Sequence, residues 1–273
     1  MKTWTVTKFK ECKGGTKLAT ITAYDYAFAK LADEANIPLV LVGDSLGMTM
    51  LGYSSTIPVT MEDMLHHVAA VARGCANNTL VVGDMPFMSY QVNLEEGLRN
   101  AGRMIQAGAD AVKLEGGACR APLIKACVEA GIPVVGHIGL TPQSVNVLGG
   151  YKVQAKTQSA AEQLIADAKA LDEAGVFTMV LECVPPNIAK VVTAAVSVPT
   201  ISVGAGPDCD VQMVVLHDML GFTERTPKFV RRYAEIGDTV KAAFGQFIRE
   251  VADGSFPGPE NTYAPAAVDL TGK

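Results

Sequence analysis

The sequence carries no CxxC pair, no run rich in lysine and arginine, and no apolar stretch near the roughly 18 residues needed to span a bilayer. Without paired cysteines there is no signal for a disulfide framework or a zinc knuckle, and most of the six cysteines read as buried small hydrophobes. Without a basic run, and with a net charge of −5, the electrostatic footprint of a nucleic-acid or anionic-membrane binder is missing. The opening residues, MKTWTVTKFKECKGG, lack the apolar core of a signal peptide, so the expected location is cytoplasmic. No GxGxxG opens the first helix, which weakens a dinucleotide-binding open sheet. What is present is a chain of 273 residues, 49% hydrophobic, able to bury one large core and suited to small-molecule chemistry.

Short β-rich runs alternate with amphipathic segments: LATITAY (18–24), PLVLVG (38–43), TLVVGD (79–84), DAVKLE (110–115), then IPVVGHI, FTMVLE, PTISVG and MVVLHD. Each is nearly continuously apolar, as expected when helices cover one face and a closed interior the other. Helix starts are legible where Thr60 precedes Asp63, Asn93 precedes Glu96 and Ser159 precedes Glu162, spacings that resemble capping boxes. Glycines in AGAD, AGIP and AGVF mark the returns to the next strand. Eight such units predict an α/β protein with a (β/α)8 TIM barrel fold, one domain over residues 1–273. Residues 254–273, rich in proline and glycine, read as an extended C-terminal arm. An open doubly wound sheet is the alternative.

In a barrel, chemistry sits at the C-terminal ends of the strands. Those positions offer Tyr24 and Asp25, Asp44 and Ser45, Asp84, Lys113 with Glu115, His137, Glu182, Ser202, and His217 with Asp218. Asp25 reads as a helix cap, because a helical pattern follows at once. Asp44 and Asp84 are followed by SLGMTM and MPFMSY, which do not look like helix starts, so capping explains them poorly. Lys113 and Glu115 share one face of their strand, the barrel interior, either as a buried ion pair or as ligand-binding groups. Asp44, Asp84 and Glu115 together offer hard oxygen ligands from three strands, which suits Mg²⁺ better than zinc. Glu182 is equally readable as a turn acid, and His137 as a group behind the site or a satisfied core histidine. His66 and His67 fall inside a helix and read as surface or packing residues, and His217 leans structural. Two loops, 45–60 and 139–158, exceed ordinary βα lengths, and the second carries Gly149, Gly150, Tyr151, Lys152 and Gln154 in the manner of a lid.

The stretches TAYDYAFAKLADEA, VGDSLGM, VKLEGG, GHIGLTPQSVNVLGGYKVQ, LECVP and TPKFVRRYA, in that order from about residue 9 to about 263, resemble the ketopantoate hydroxymethyltransferase family. The resemblance implies a (β/α) barrel, Mg²⁺ dependence, a homodecamer, and a place in pantothenate biosynthesis. Its substrates would be 3-methyl-2-oxobutanoate and 5,10-methylenetetrahydrofolate, the latter a co-substrate. Carried across by position, the resemblance implies metal ligation by Asp44, Asp84 and Glu115, keto-acid contacts from Asp44, Ser45, Asp84 and Lys113, and Glu182 as proton acceptor. Ser202 and Val211 stand where the family pattern leads one to expect glycine. The rival readings are another Mg²⁺-dependent keto-acid barrel of the isocitrate lyase or phosphoenolpyruvate mutase kind, a Schiff-base aldolase using Lys113, and a catalytically silent keto-acid-binding barrel.

Overall fold

The computed structural model describes residues 2–266 and 268. Its strands are β1 (Leu18–Thr22), β2 (Leu39–Val42), β3 (Leu80–Asp84), β4 (Ala111–Glu115), β5 (Val134–Gly139), β6 (Thr178–Glu182), β7 (Thr200–Val203) and β8 (Val211–Val214). They form a closed barrel in chain order. Every neighbouring pair is parallel, including β1 with β8. Closure removes both sheet edges, so each strand has a hydrogen-bonded neighbour on either side. The expected (β/α)8 barrel is therefore observed.

Alternation along the strands sorts the interior. Leu80, Val82, Ala111, Val135 and Val180 belong to one buried cluster with Leu39, Leu41, Ile201, Val211 and Met213. Two residues further along the same faces come Asp84, Lys113, His137 and Glu182, so the side-chain period carries the core directly into the site. Phe9, fully buried on the short helix Val6–Lys10, joins the cluster and meets Phe177 edge to face at 6.0 Å. Since Phe177 precedes β6, this helix stoppers the N-terminal end of the barrel, and burying the ring contributes about 2–3 kcal/mol.

Helix starts follow from local chemistry. Asp25 accepts from the Phe28 N–H, and Thr60 with Asp63 forms a complete capping box over Met61–Gly74. Asn93 caps Leu94–Gln106 but without the reciprocal bond. The helix expected to start at Ser159 is capped instead by Thr157, which accepts from Ala160 N–H, because Ser159 is already inside Gln158–Ala174. Gly108, Gly131 and Gly175 all have positive φ, as the helix-ending role requires.

Two further sequence expectations change. SLGMTM does form a helix, the single turn Leu46–Thr49, although no side chain caps it. The last strand lies earlier than MVVLHD suggested, and Leu216–Met219 is a one-turn helix, so His217 and Asp218 are not strand-end residues. Continuous apolarity had hidden the register there. Locally, the His217 ring lies 5.3 Å from that of Phe222, and Asp218 accepts from the Thr223 hydroxyl at 2.8 Å.

The chain groups into two compact units: Met1–Leu216 with Lys228–Val230, and His217–Pro227 with Arg231–Lys273. The second contains the helix Ile236–Asp253, which has no buried residue. Beyond Gly254 the regular structure is the three-residue turn Pro259–Asn261, and the part of the expected arm at 267 and 269–273 lies outside the described residues. Among the described residues no helix is long and apolar enough to cross a membrane.

Candidate active site

The strand-end residues of β2 to β6 converge. Asp44, Asp84, Lys113, Glu115 and His137 are buried, and Glu182 retains 18% side-chain exposure. Lys113 Nζ lies 2.7 Å from Asp84 Oδ1, 3.5 Å from Glu115 Oε1 and 3.2 Å from His137 Nδ1. His137 Nδ1 is 3.5 Å from Glu115 Oε1, and its Nε2 is 3.3 Å from Glu182 Oε2. A chain of alternating charge therefore runs from Asp84 through Lys113, Glu115 and His137 to Glu182, along the mouth from β3 to β6.

Burial works against every charge in this chain, and the neighbours decide the outcome. For Lys113 burial favours the neutral amine, but Asp84, Glu115 and Asp44 outweigh it and hold the side chain as an ammonium. For His137 burial and Lys113 push the pKa down, while the adjacent carboxylates of Glu115 and Glu182 raise it to about 9. Burial would raise Glu115, yet Lys113, His137 and the Gln143 N–H bring it below its usual value. Asp44 behaves oppositely: burial, then the charges of Asp84 and Glu115, push its carboxyl well up. Asp84 is also raised, burial exceeding the help it receives from Lys113.

Asp44, Asp84 and Glu115, the ligand set expected from the sequence, stand at neighbouring strand ends, and each side chain has protein partners here. Among the described residues no three acidic, imidazole or thiol groups gather closely enough to hold one ion. The reason is visible in Glu115, whose Oε1 faces Lys113 and His137 and whose Oε2 accepts from Gln143 N–H at 3.0 Å. Asp44 and Asp84 remain adjacent, the Asp44 N–H donating to Asp84 Oδ2 at 3.2 Å. Two buried neighbouring carboxyls, both with raised pKa, fit a hard divalent cation that takes its other ligands from substrate and water.

Ser45 follows Asp44 and its Oγ lies 2.8 Å from the hydroxyl of the buried Tyr24. The Tyr24 carbonyl in turn meets His67 Nδ1 at 2.6 Å, which gives that helical histidine a packing role behind the site. Sequence reasoning missed Tyr90 and Gln143. Tyr90 Oη accepts from the Glu115 N–H at 3.1 Å and bonds Gln143 Oε1 at 2.7 Å. Their only signal was membership of polar loops after strand ends, a property they share with many neighbours. In the 139–158 loop, Tyr151 Oη lies 3.9 Å from Met48 Sδ on the opposite loop, and burial with Asp44, Glu182 and Glu115 raises its pKa.

Ketopantoate hydroxymethyltransferase is the family whose model matches residues 3–259. Similar curated proteins include the 3-methyl-2-oxobutanoate hydroxymethyltransferase of Heliobacterium modesticaldum, 56% identical over 92% of this chain and 91% of that one. Another, of the same name, comes from Caldicellulosiruptor bescii, 54% identical over 96% of this chain and 99% of the other. The chain belongs to the ketopantoate hydroxymethyltransferase family. It is accordingly a transferase.

Among solved structures, a phosphonopyruvate hydrolase in complex with oxalate and Mg²⁺ matches with TM-score 0.60 and 14% identity, over 96% of this chain and 93% of that one. A 2,3-dimethylmalate lyase of the PEP mutase/isocitrate lyase superfamily matches with TM-score 0.59 and 17% identity, over 95% of this chain and 92% of the other. At that identity the likeness is one of fold. Where the sequence departs from the expected family glycines, the barrel accommodates the change. Ser202 Oγ accepts from the Ala205 N–H at 3.0 Å, and Val211 is buried in the core cluster.

Proposed function

We propose that the protein transfers a one-carbon unit from 5,10-methylenetetrahydrofolate to 3-methyl-2-oxobutanoate, giving 2-dehydropantoate and tetrahydrofolate in pantothenate biosynthesis. The observation that carries this reading is the Glu182–His137 pair: among the acids of the site, Glu182 alone keeps partial exposure, and His137 Nε2 lies 3.3 Å from its Oε2. A carboxylate so placed can reach a bound keto acid while an imidazole steadies it.

The reaction needs a carbanion equivalent at C3. If roughly 15 pKa units separate that proton from a carboxylic acid, the transfer costs on the order of 20 kcal/mol, so Glu182 needs electrostatic help. Glu182 takes the C3 proton, with His137 holding the carboxylate in place. Lys113, kept as an ammonium by Asp84 and Glu115, presents positive charge to the substrate carboxylate, and Ser45 offers its hydroxyl beside it. Mg²⁺ bound at Asp44 and Asp84, with Glu115 beyond them, would supply Lewis-acid stabilisation of the charge that develops on the keto oxygen. A single water adds to the methylene carbon carried by the folate and both C–N bonds break, releasing tetrahydrofolate and a formaldehyde unit; the enolate carbon attacks that unit, and the resulting alkoxide takes a proton to become the hydroxymethyl group. The 139–158 loop, lying over the mouth through Tyr151, keeps bulk water away until the bond has formed. The reading extends to a homo-oligomer, the decamer implied by the resemblance, which accords with the exposed Phe244, Phe247 and Ile248 of the helix Ile236–Asp253.

Proton NMR of 3-methyl-2-oxobutanoate in D₂O tests the reading. With protein and Mg²⁺ but no folate, the C3 proton signal is expected to disappear, and EDTA or Glu182→Gln to prevent it. Exchange that persists in EDTA would refute the metal-assisted enolisation, and absence of turnover after folate is added would favour a silent binder or a rival barrel chemistry.

A further inference from the structure

We infer that Gln143 is a positioning residue that ties the seating of the 139–158 loop to the orientation of Asp44 and Glu115, an assignment that rests on the enolising role proposed above. Gln143 is 4% exposed and sits in the 3₁₀ turn Pro142–Ser144, whose first residue, a proline, fixes its own φ. Its side chain uses its full hydrogen-bonding capacity. Nε2 donates to Asp44 Oδ2 at 3.0 Å and to the Met85 carbonyl at 2.8 Å, while Oε1 accepts from Tyr90 Oη at 2.7 Å and from Gln91 Nε2 at 3.1 Å. Its backbone N–H donates to Glu115 Oε2 at 3.0 Å.

The direction of the amide is determined chemically. The Met85 carbonyl can only accept, so the nitrogen must face it, and the oxygen is left for Tyr90. Glutamate at this position would lose both donors and add a negative charge beside Asp44. Asparagine falls one methylene short, and methionine keeps the length with neither donor nor strong acceptor. One loop residue therefore holds one oxygen of each of two carboxylates from β2 and β4. If the loop lifts, both donors withdraw together, and Asp44 is left to turn under the charges of Asp84 and Glu115. Loop position and carboxylate orientation thus behave as one two-state element.

The test uses the full chain as wild type, Gln143→Met, Gln143→Glu and Tyr90→Phe. In metal-free protein, hydrogen–deuterium exchange of the peptide covering 145–153 is measured by mass spectrometry. In the Mg²⁺-loaded enzyme, kcat and KM for 3-methyl-2-oxobutanoate are measured. We expect loop exchange to speed at least tenfold in Gln143→Met, with kcat at least 30-fold lower and KM within threefold. Tyr90→Phe, which keeps both Gln143 donors, should fall between, and it carries the comparison if a Gln143 variant does not fold. Loop exchange and kcat both within threefold of wild type would overturn the assignment, as would a change in one without the other. A wild-type protein that fails to exchange the C3 proton would refute the enolising reading separately, and the loop exchange would then judge the latch alone.

Discussion

Lys113 Nζ stands 2.7 Å from Asp84 Oδ1, both side chains buried at the mouth of the barrel. The contact fixes the chemical character of the lysine. An amine must be neutral to attack a carbonyl, and here Asp84, Glu115 and Asp44 together overcome the burial that would neutralise it. The Schiff-base aldolase reading is therefore disfavoured by the site's own electrostatics.

Borohydride added during turnover is expected to leave Lys113 unmodified, as judged by the intact mass of the protein. Lys113→Met removes the only cation beside Asp84 within the pair and leaves that acid buried without its partner. Destabilisation of about 3–5 kcal/mol in denaturant unfolding is expected, together with a raised KM for the keto acid. A trapped adduct would restore the aldolase reading.

Asp44 should behave in the opposite sense. Its carboxyl is pushed up by burial and by two neighbouring acids, so its charge opposes the metal-free fold. Asp44→Asn can still accept from Gln143 Nε2, and it should stabilise metal-free protein by about 1 kcal/mol while abolishing Mg²⁺-dependent C3 exchange. Melting curves with EDTA and with excess Mg²⁺ provide the comparison, the gain being expected only in EDTA.

Gly139 connects backbone geometry to the base. It ends β5 with φ of +92°, pairs with Glu182, and a Cβ there would collide with the Glu182 carbonyl oxygen and lie 2.7 Å from Val184 Cγ2. Gly139→Ala is expected to cost about 1–3 kcal/mol in stability and to slow C3 exchange by displacing Glu182. Unchanged exchange at matched folding would show that the base tolerates the shift.

Asp33 gives a pH prediction away from the chemistry. Burial would raise its pKa, but backbone N–H groups of Asn78, Thr79 and Asn77 prevail and lower it. A lowered folded-state pKa means that the stabilisation is fully present above the unfolded value near 4 and fades as pH falls through the folded one. Asp33→Asn should cost about 2 kcal/mol at pH 7, and the difference from wild type in urea unfolding should shrink below about pH 4. A gap that stays constant with pH would assign the effect to packing.

The barrel and the polar residues at the ends of its strands were legible in the chain because their determinants are local. Apolar runs, strand period and caps such as Asp25 and Thr60 act over a few residues, and the period that buries Val82 and Ala111 also turns Asp84 and Lys113 inward. Where local signals were degenerate the reading slipped: apolarity continued past β8, and Ser159 mimicked a cap that Thr157 provides.

Sequence by itself determined which chemical groups would stand at the ends of the strands. Tertiary structure alone decided how they pair: that Glu115 turns toward Lys113 and His137, and that Gln143 crosses 99 positions of chain to bond Asp44. Those contacts depend on barrel closure and on the path of a long loop. Their energies are set by burial and by the distance between charges, neither of which is encoded in residue spacing.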